Sequence, residues 1–165
     1  MNKTKEICYL GIGVALYVAL AALIKIPLIG HIQTDLGYIV FGVYCVLFGH
    51  KGTIVGMIGC LIESLLFSGW VPIGWMFANM FIGFYVGTLF EKRKCNNFWK
   101  YAILTILAMF IGIGFIKTVI ECSLYMIPFE VKFPKNMIAF VSDAIPMLVG
   151  LWLVQKLKEN TSLLQ

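Results

Sequence analysis

Apolar and polar residues alternate along this chain in long blocks rather than at single positions. Six stretches are dominated by apolar residues, and short polar segments separate them. Blocks of this kind are typical of membrane-crossing helices, which need about 20 mostly apolar residues. The pattern therefore predicts an all-α membrane protein, a single domain over residues 1–165 with six transmembrane helices in a compact bundle: Ile7–Ile26, Leu36–Phe48, Thr53–Phe67, Ile73–Phe90, Phe98–Ile127 and Met137–Leu157.

Glycine, proline and charged residues refine these stretches. The second is short for a full span and is expected to tilt or to kink at Gly42. The fifth contains Gly112 and Gly114, where bending is cheap, and the sixth contains Pro146, which should kink it. The charged segment 129–136 (FEVKFPKN) is expected to form a loop, and the polar tail 156–165 is expected to fray.

Composition and charge set the environment and the orientation. Hydrophobic residues make up 61% of the chain and charged residues 13%, so the protein is expected to lie in a lipid bilayer. The first apolar stretch is too long for a cleavable signal peptide. With both termini cytoplasmic, nine basic residues fall inside and three outside, which is the usual positive-inside bias. The inside set is Lys3, Lys5, Lys51, Lys92, Arg93, Lys94, Lys100, Lys156 and Lys158, and the outside set is Lys25, Lys132 and Lys135.

The basic loop around Lys92–Lys94 is accordingly interpreted as an orientation signal, and no nucleic-acid partner is expected. The five cysteines show no CxxC spacing, which argues against a zinc site or a disulfide framework. No metal site and no cofactor are predicted.

A stripe of small residues runs along the first helix. Gly11, Ala15, Ala19 and Ala22 are spaced by four, four and three, which places them on one face. Small residues let another helix approach closely. The stripe fits either packing within the bundle or docking to a different subunit, and the spacing alone does not choose between them.

The polar segment after the first helix is a candidate gate. Pro27 should end that helix, and residues 28–35 form a loop long enough to fold over a pocket, with His31, Gln33 and Asp35 as its polar members. A lone histidine in a loop is usually solvated, so His31 is not predicted to bind a metal. Asp35 directly precedes the second helix, where it would either cap the helix or contact a substrate.

The stretch Glu63–Asn79 (ESLLFSGWVPIGWMFAN) predicts two helices joined by a very short turn. Carboxylates inside apolar helices are costly in lipid and are usually turned inward and used. When the helices alternate in direction, the intramembrane polar groups all fall in the outer half. This predicts a pocket open to the outside with a closed floor, formed by Glu63, Trp70, Trp75, Asn79, Lys117, Glu121 and Asp143.

Simpler interpretations of these residues stay open. Lys117 and Glu121 are four residues apart and can pair with each other, or Asp143 can pair with Lys117. Glu63 can lie close enough to the membrane surface to reach water. Asn79 can bridge helices, and Trp70 and, less readily, the deeper Trp75 can belong to an interfacial aromatic belt. The predominance of carboxylates favours a neutral or cationic, partly aromatic ligand over a polyanion.

Sequence motifs of common enzymes are missing. The chain contains no phosphate-binding GxxxxGK[ST] loop, no HExxH and no nucleophile elbow. The protein is therefore not expected to be an enzyme. Uphill movement of a solute would need energy from a partner or from an ion gradient.

Taken together, these features resemble the substrate-binding S components of energy-coupling factor (ECF) transporters. The resemblance covers essentially the whole chain. It rests on six predicted helices in 165 residues, on the Ala15-x-x-x-Ala19 pair, on DLGYIVFGVYCVLFG in the second helix and on the SGWVPIGW hairpin.

The resemblance implies a subunit of a prokaryotic plasma membrane that captures a vitamin or related micronutrient from outside. It implies a transmembrane T subunit and two cytoplasmic ATPases as partners. Ala15 and Ala19 would contact the T subunit, residues 28–35 would gate the pocket, and the outer parts of the last three helices would hold the ligand. Nickel and cobalt members carry a histidine where this chain has Asn2, so a metal substrate is not expected.

Two other functions fit the sequence. A stand-alone permease could couple uptake to protons through Glu63 or Asp143. A structural or assembly protein would bind no solute. An ECF S component would depend on ATPase partners. Uptake by a permease would collapse with the proton gradient, and a structural protein would show no saturable binding.

Overall fold

The computed structural model describes residues 3–23, 25–27, 33–92 and 98–162. Nearly all of them are helical, and the only strands among them form one short hairpin. In chain order the elements are α1 (Lys3–Leu23), β1 (Lys25–Pro27), β2 (Gln33–Asp35), α2 (Gly37–Phe48), a 3₁₀ turn (Gly49–Gly52), α3 (Thr53–Phe67), α4 (Ile73–Lys92), α5 (Phe98–Met109), a π-helix (Phe110–Lys117), α6 (Thr118–Tyr125) and α7 (Phe129–Ser162).

Five helical runs in the described part of the chain are long and apolar enough to cross a membrane: 3–22, 37–67, 73–91, 98–125 and 129–157. The run 37–67 folds back on itself at Gly49, whose positive φ of 59° suits glycine. A Cβ atom on Gly56 in α3 would lie 2.5 Å from the Phe41 ring in α2, so the two helices pack side by side. The membrane-protein class is thus confirmed, and six crossings stay a prediction.

The first predicted helix is too long. It ends at Leu23 rather than Ile26, and Lys25–Pro27 forms strand β1. The residue before a proline is forced towards extended backbone, which explains why the chain leaves the helix here. β1 pairs antiparallel with β2, with Lys25 opposite Asp35. The predicted gating segment is therefore partly a hairpin, although residues 28–32, including His31, lie outside the described residues.

The predicted loop 129–136 is also wrong, because helix α7 begins at Phe129. The carbonyl of Pro128 accepts hydrogen bonds from the backbone N–H groups of Val131 and Lys132, so the proline initiates the helix. Pro134 and Pro146 both lie inside this one helix. Its far end reaches Ser162, which corrects the expectation that the tail frays from residue 156.

The fifth predicted span, 98–127, is one helical run that ends at Tyr125, where Met126 adopts a left-handed conformation with φ of 53°. Its middle is wider than an α-helix. The π-helix Phe110–Lys117 contains both glycines at which bending was expected. π-helical segments are rare and are often found at functional sites.

The two ends of the bundle differ in character. At one end, Lys51 pairs with Glu6 at 2.5 Å and His50 lies 2.7 Å from Glu91, which brings the α2–α3 turn, the start of α1 and the end of α4 together. The β1–β2 hairpin and the α3–α4 turn lie at the other end. Between the two ends, fully buried side chains fill the interior, among them Tyr17, Phe41, Ile82, Met109, Ile113 and Met147.

Candidate binding site in the helical bundle

A cavity of about 360 Å³ opens at the end that carries the β1–β2 hairpin and the α3–α4 turn. Its volume falls in the range of small-molecule pockets, about 300–1,000 Å³. Helices α1, α2, α3, α4, α6 and α7, the end of the π-helix, the α3–α4 turn and strand β2 all contribute to its wall. The lining residues are Tyr17, Ala21, Thr34, Asp35, Tyr38, Cys60, Glu63, Ser64, Ser68, Trp70, Pro72, Trp75, Lys117, Glu121, Lys132, Lys135, Asn136, Ala139 and Asp143.

Most of the predicted substrate-binding residues meet at this cavity. Six of the seven line it, namely Glu63, Trp70, Trp75, Lys117, Glu121 and Asp143. Asp35 from the predicted gate lines it as well. These residues come from α3, the α3–α4 turn, α4, the π-helix, α6, α7 and strand β2, so the fold brings together groups that are up to 108 positions apart in the chain.

The seventh predicted residue, Asn79, lies one layer below the cavity wall. It is fully buried, and its side-chain oxygen accepts a hydrogen bond of 2.6 Å from the Tyr38 hydroxyl. Its amide nitrogen donates to the carbonyl oxygen of Gly56 at 3.2 Å. Asn79 thus bridges α2, α3 and α4 and orients Tyr38, which does line the cavity.

A basic cluster forms the wall where α6 meets the start of α7. Lys117 donates a hydrogen bond of 2.6 Å to the side-chain oxygen of Asn136, and its ammonium lies 3.8 Å from Glu121. Lys132 lies 3.2 Å from the other oxygen of Glu121. Asn136 also donates to Thr118 at 2.9 Å. Two lysines therefore share one carboxylate, which leaves an excess positive charge on this wall.

An acidic cluster joins strand β2 to the middle of α7. The backbone N–H of Asp35 donates to Oδ1 of Asp143 at 3.1 Å. The Asp35 carboxylate itself accepts hydrogen bonds from the Tyr17 hydroxyl at 2.6 Å and from the N–H of Gly37 at 2.7 Å. Asp35 therefore bonds the first N–H of α2, as expected of a capping residue, and also holds Asp143 in place.

Aromatic side chains provide the flat surfaces of the cavity. The Lys117 ammonium lies 3.7 Å from the centre of the Trp75 ring, a distance that allows a cation–π interaction. Trp75 is half-buried, whereas Trp70 is exposed and packs edge-on against Tyr125, with ring centres 5.9 Å apart. Trp75 is thus part of the wall and Trp70 part of the rim.

The predicted docking residues on α1 lie away from the cavity. Gly11, Ala15 and Ala19 are exposed on α1 and Ala22 is half-buried, so the small-residue stripe faces out of the bundle. Gln33 lies in strand β2. In the described part of the chain, no three His, Cys, Asp or Glu side chains are grouped closely enough to hold a metal ion.

Sequence reasoning missed several lining residues. Tyr17 and Tyr38 look like ordinary apolar positions in their helices. The charged segment 129–136 predicts a loop for Lys132 and Asn136. The successive spacings from Lys132 through Asn136 and Ala139 to Asp143 are four, three and four, which is one face of a helix. Had α7 been extended back to Phe129, this spacing would have placed all four on the same wall.

Comparison with known proteins identifies the family. The family model for the S component of the ECF-type riboflavin transporter matches residues 1–159. The chain belongs to this family. The resemblance drawn from the sequence is therefore confirmed, and the protein is an S component of the ECF type by descent.

Individual relatives are distant but match over nearly the whole chain. A UPF0397 protein of Phytoplasma australiense is 26% identical, over 96% of this chain and 87% of that protein. A UPF0397 protein of Streptococcus thermophilus is 23% identical, over 90% of this chain and 87% of that protein. The crystal structure of an S component for biotin matches with a TM-score of 0.65 at 22% identity, over 96% of this chain and 95% of that chain. This last similarity shows a shared fold.

Proposed function

We propose that this protein captures a vitamin-like solute for an ECF-type importer, in the cavity between α1, α3, α4, α6 and α7. The observation that carries the proposal is the convergence of six predicted polar and aromatic side chains on one cavity of about 360 Å³. A membrane protein that needed these groups only for helix packing would pair them without leaving a space between them.

The proposed orientation has the cavity facing outside and both termini in the cytoplasm, with the run 37–67 crossing the membrane twice. The charge distribution supports it. Lys51 and Glu6 lie together at the end opposite the cavity, where the basic residues near the chain start and the 49–52 turn would face the cytoplasm. Accessibility of single cysteines to a membrane-impermeant maleimide at Lys51 and at Ser68 tests it, since the orientation requires labelling from outside only at Ser68.

The proposed partners are a T subunit, contacted through α1, and two ATPases. The exposed faces of Gly11, Ala15 and Ala19 support this docking surface, because no other part of the described chain covers them. A Cβ atom on Gly11 would meet nothing within 4 Å. A leucine at Ala15 or Ala19 should therefore leave the fold intact and block close approach of a partner helix.

Binding is tested first by purification in mild detergent, native mass spectrometry and thermal stabilisation by a vitamin panel that includes riboflavin and biotin. A retained or stabilising compound supports the proposal. No saturable ligand would favour a structural role. Uptake in vesicles that needs a proton gradient and no ATPase would instead establish a stand-alone permease.

Docking is tested by co-purification with the T subunit and ATPases. Ala15→Leu and Ala19→Leu should lose the complex and keep ligand binding. Val141→Leu, on the exposed outer face of α7, is the matched control for a bulkier lipid-facing side chain. If the complex survives both α1 substitutions, α1 does not form the docking surface.

A further inference from the structure

One face of α7 carries groups of opposite chemistry at its two ends, and this bears on the class of substrate. Lys132, Asn136, Ala139 and Asp143 all line the cavity and lie on the same side of the helix. At 1.5 Å per residue, Asp143 lies about 10 Å along the helix from Asn136. The inference that follows rests on the proposed function and narrows its substrate.

The Asp143 carboxylate can accept more hydrogen bonds than it receives within the protein. Only 2% of the residue's surface is exposed. Oδ1 accepts the N–H of Asp35, and the Ser142 hydroxyl is 3.3 Å away but lies closer, at 2.9 Å, to the carbonyl of Ala139. A hydroxyl has one hydrogen to donate, and a carboxylate has about four acceptor positions. Among the described residues, both hydrogen bonds to the Asp143 carboxylate involve Oδ1, so Oδ2 is available to accept a hydrogen bond from a ligand in the cavity.

The opposite end offers donors and positive charge. Lys117 and Lys132 share the single carboxylate of Glu121, and Lys135 adds a third ammonium at the rim. Acceptor or anionic groups are favoured there. Between the two ends stands Ala139, whose small side chain takes up little of the cavity, and Trp75 lines the same cavity as an aromatic surface beside Lys117.

We propose that the substrate is an amino-substituted nitrogen heterocycle that lies along α7 over Ala139, with its amino edge at Asp143 and an acceptor or anionic group at Lys117 and Lys132. An amino group beside a ring nitrogen presents N–H donors to a carboxylate, and such charge-assisted bonds are stronger than neutral ones. The oxo analogue of the same ring would set a carbonyl oxygen against the Asp143 carboxylate and would be rejected.

The experiment compares amino and oxo members of matched pairs in binding titrations with the purified protein: thiamine with oxythiamine, adenine with hypoxanthine, and cytosine with uracil. Riboflavin and biotin are included as compounds without the amino edge. At least one amino compound should bind, and at least about tenfold more tightly than its oxo partner, because the oxo compound sets an acceptor oxygen against the Asp143 carboxylate in place of a donor.

The Asp143→Asn variant tests whether Asp143 contacts the ligand, because a purely structural role would not change the ratio of affinities for amino and oxo compounds. Oδ1 of the asparagine can still accept the N–H of Asp35, so the fold should survive, and its amide nitrogen then donates where Oδ2 accepted. The preference should reverse towards the oxo compound. Val141→Ala, on the outward face of the same helix, should keep wild-type affinities within about twofold.

The failures are distinguishable. Binding of riboflavin or biotin alone, equal affinities within every pair, or an unchanged preference in Asp143→Asn would overturn the substrate class and leave the capture function standing. Binding of none of these compounds, together with an empty native mass spectrum, would overturn the capture function as well.

Discussion

Replacing Asn136 by leucine should be one of the most damaging single changes in this protein. Asn136 is 2% exposed and connects α6 to α7. It accepts a 2.6 Å hydrogen bond from the Lys117 ammonium and donates to Thr118 at 2.9 Å and to Glu121 at 3.3 Å. Leucine has a similar size and makes none of these bonds.

The magnitude follows from these bonds. A hydrogen bond to a charged group contributes about 1.5–3 kcal/mol and a neutral one about 0.5–1.5 kcal/mol. The two short bonds alone give a loss of about 2–4.5 kcal/mol in the free energy of unfolding for Asn136→Leu, and the longer bond to Glu121 adds to it. Among the described residues, Lys117 keeps Glu121 at 3.8 Å and the Trp75 ring as partners.

The assay is reversible unfolding by SDS in mixed micelles, followed by tryptophan fluorescence, for Asn136→Leu, Lys117→Met and the double variant. Removing both partners of a buried bond costs less than the sum of the single changes. The double variant should be more stable than that sum by at least about 1 kcal/mol. Thr88→Val is the control, since Thr88 bonds only to its own helical turn and should change stability by less than about 0.5 kcal/mol.

Two outcomes would refute this reasoning. A loss below about 0.6 kcal/mol, the average for side-chain hydrogen bonds between membrane helices, would mean that other groups replace those of Asn136. Additive single effects would mean that Lys117 and Asn136 do not act as a pair.

Three further predictions concern the packing and the cavity. Gly59→Ala should destabilise the fold by about 1–3 kcal/mol in the same unfolding assay, because the new Cβ would lie 2.7 Å from the Tyr17 ring. Gly11→Ala is the control and should leave stability unchanged, because a Cβ there would meet nothing within 4 Å. Trp75→Ala should weaken ligand binding by about 1–3 kcal/mol in calorimetry through loss of a stacking surface, and Trp75→Phe should weaken it less; equal affinities for all three proteins would remove Trp75 from the site. Thr105→Val should leave stability unchanged or raise it by up to about 1 kcal/mol, since the buried Thr105 hydroxyl has no hydrogen-bond partner among the described residues; a clear loss of stability would reveal one.

The sequence predicted best those helices whose ends are marked by turn residues. Helix α3 begins at Thr53 and ends at Phe67 as expected, because Gly52 and the Ser68–Pro72 turn mark both boundaries. The segment 129–136 was misassigned for an equally local reason. Its charges and Pro134 are typical of loops, whereas in the fold these residues form about two turns of helix. Lys132, Lys135 and Asn136 from these turns line a cavity that is completed by the other helices.

The sequence predicts which residues belong to the site but not how each one is placed in it. Ionisable side chains such as Asp143 and Lys117 cost free energy in lipid, so in an apolar span they indicate a polar site inside the bundle. Whether a polar group reaches the cavity or stops one layer below depends on its neighbours in space. Asn79 stops below because Tyr38, from a helix about forty residues earlier, lies in front of it.

The π-helix at Phe110–Lys117 gives this wall of the cavity an evolutionary freedom that the other walls lack. α5 before it and α6 after it belong to one continuous run, in which only Lys117, at the end of the π-helix, and Glu121 of α6 line the cavity. Loss of one residue from a π-helix can be absorbed by narrowing it to an α-helix, and the residues downstream then keep their orientation. A single-codon deletion before Lys117 would therefore leave Lys117 and Glu121 on the cavity wall while α5 kept its packing. The length of this segment can thus change between relatives without dismantling the wall.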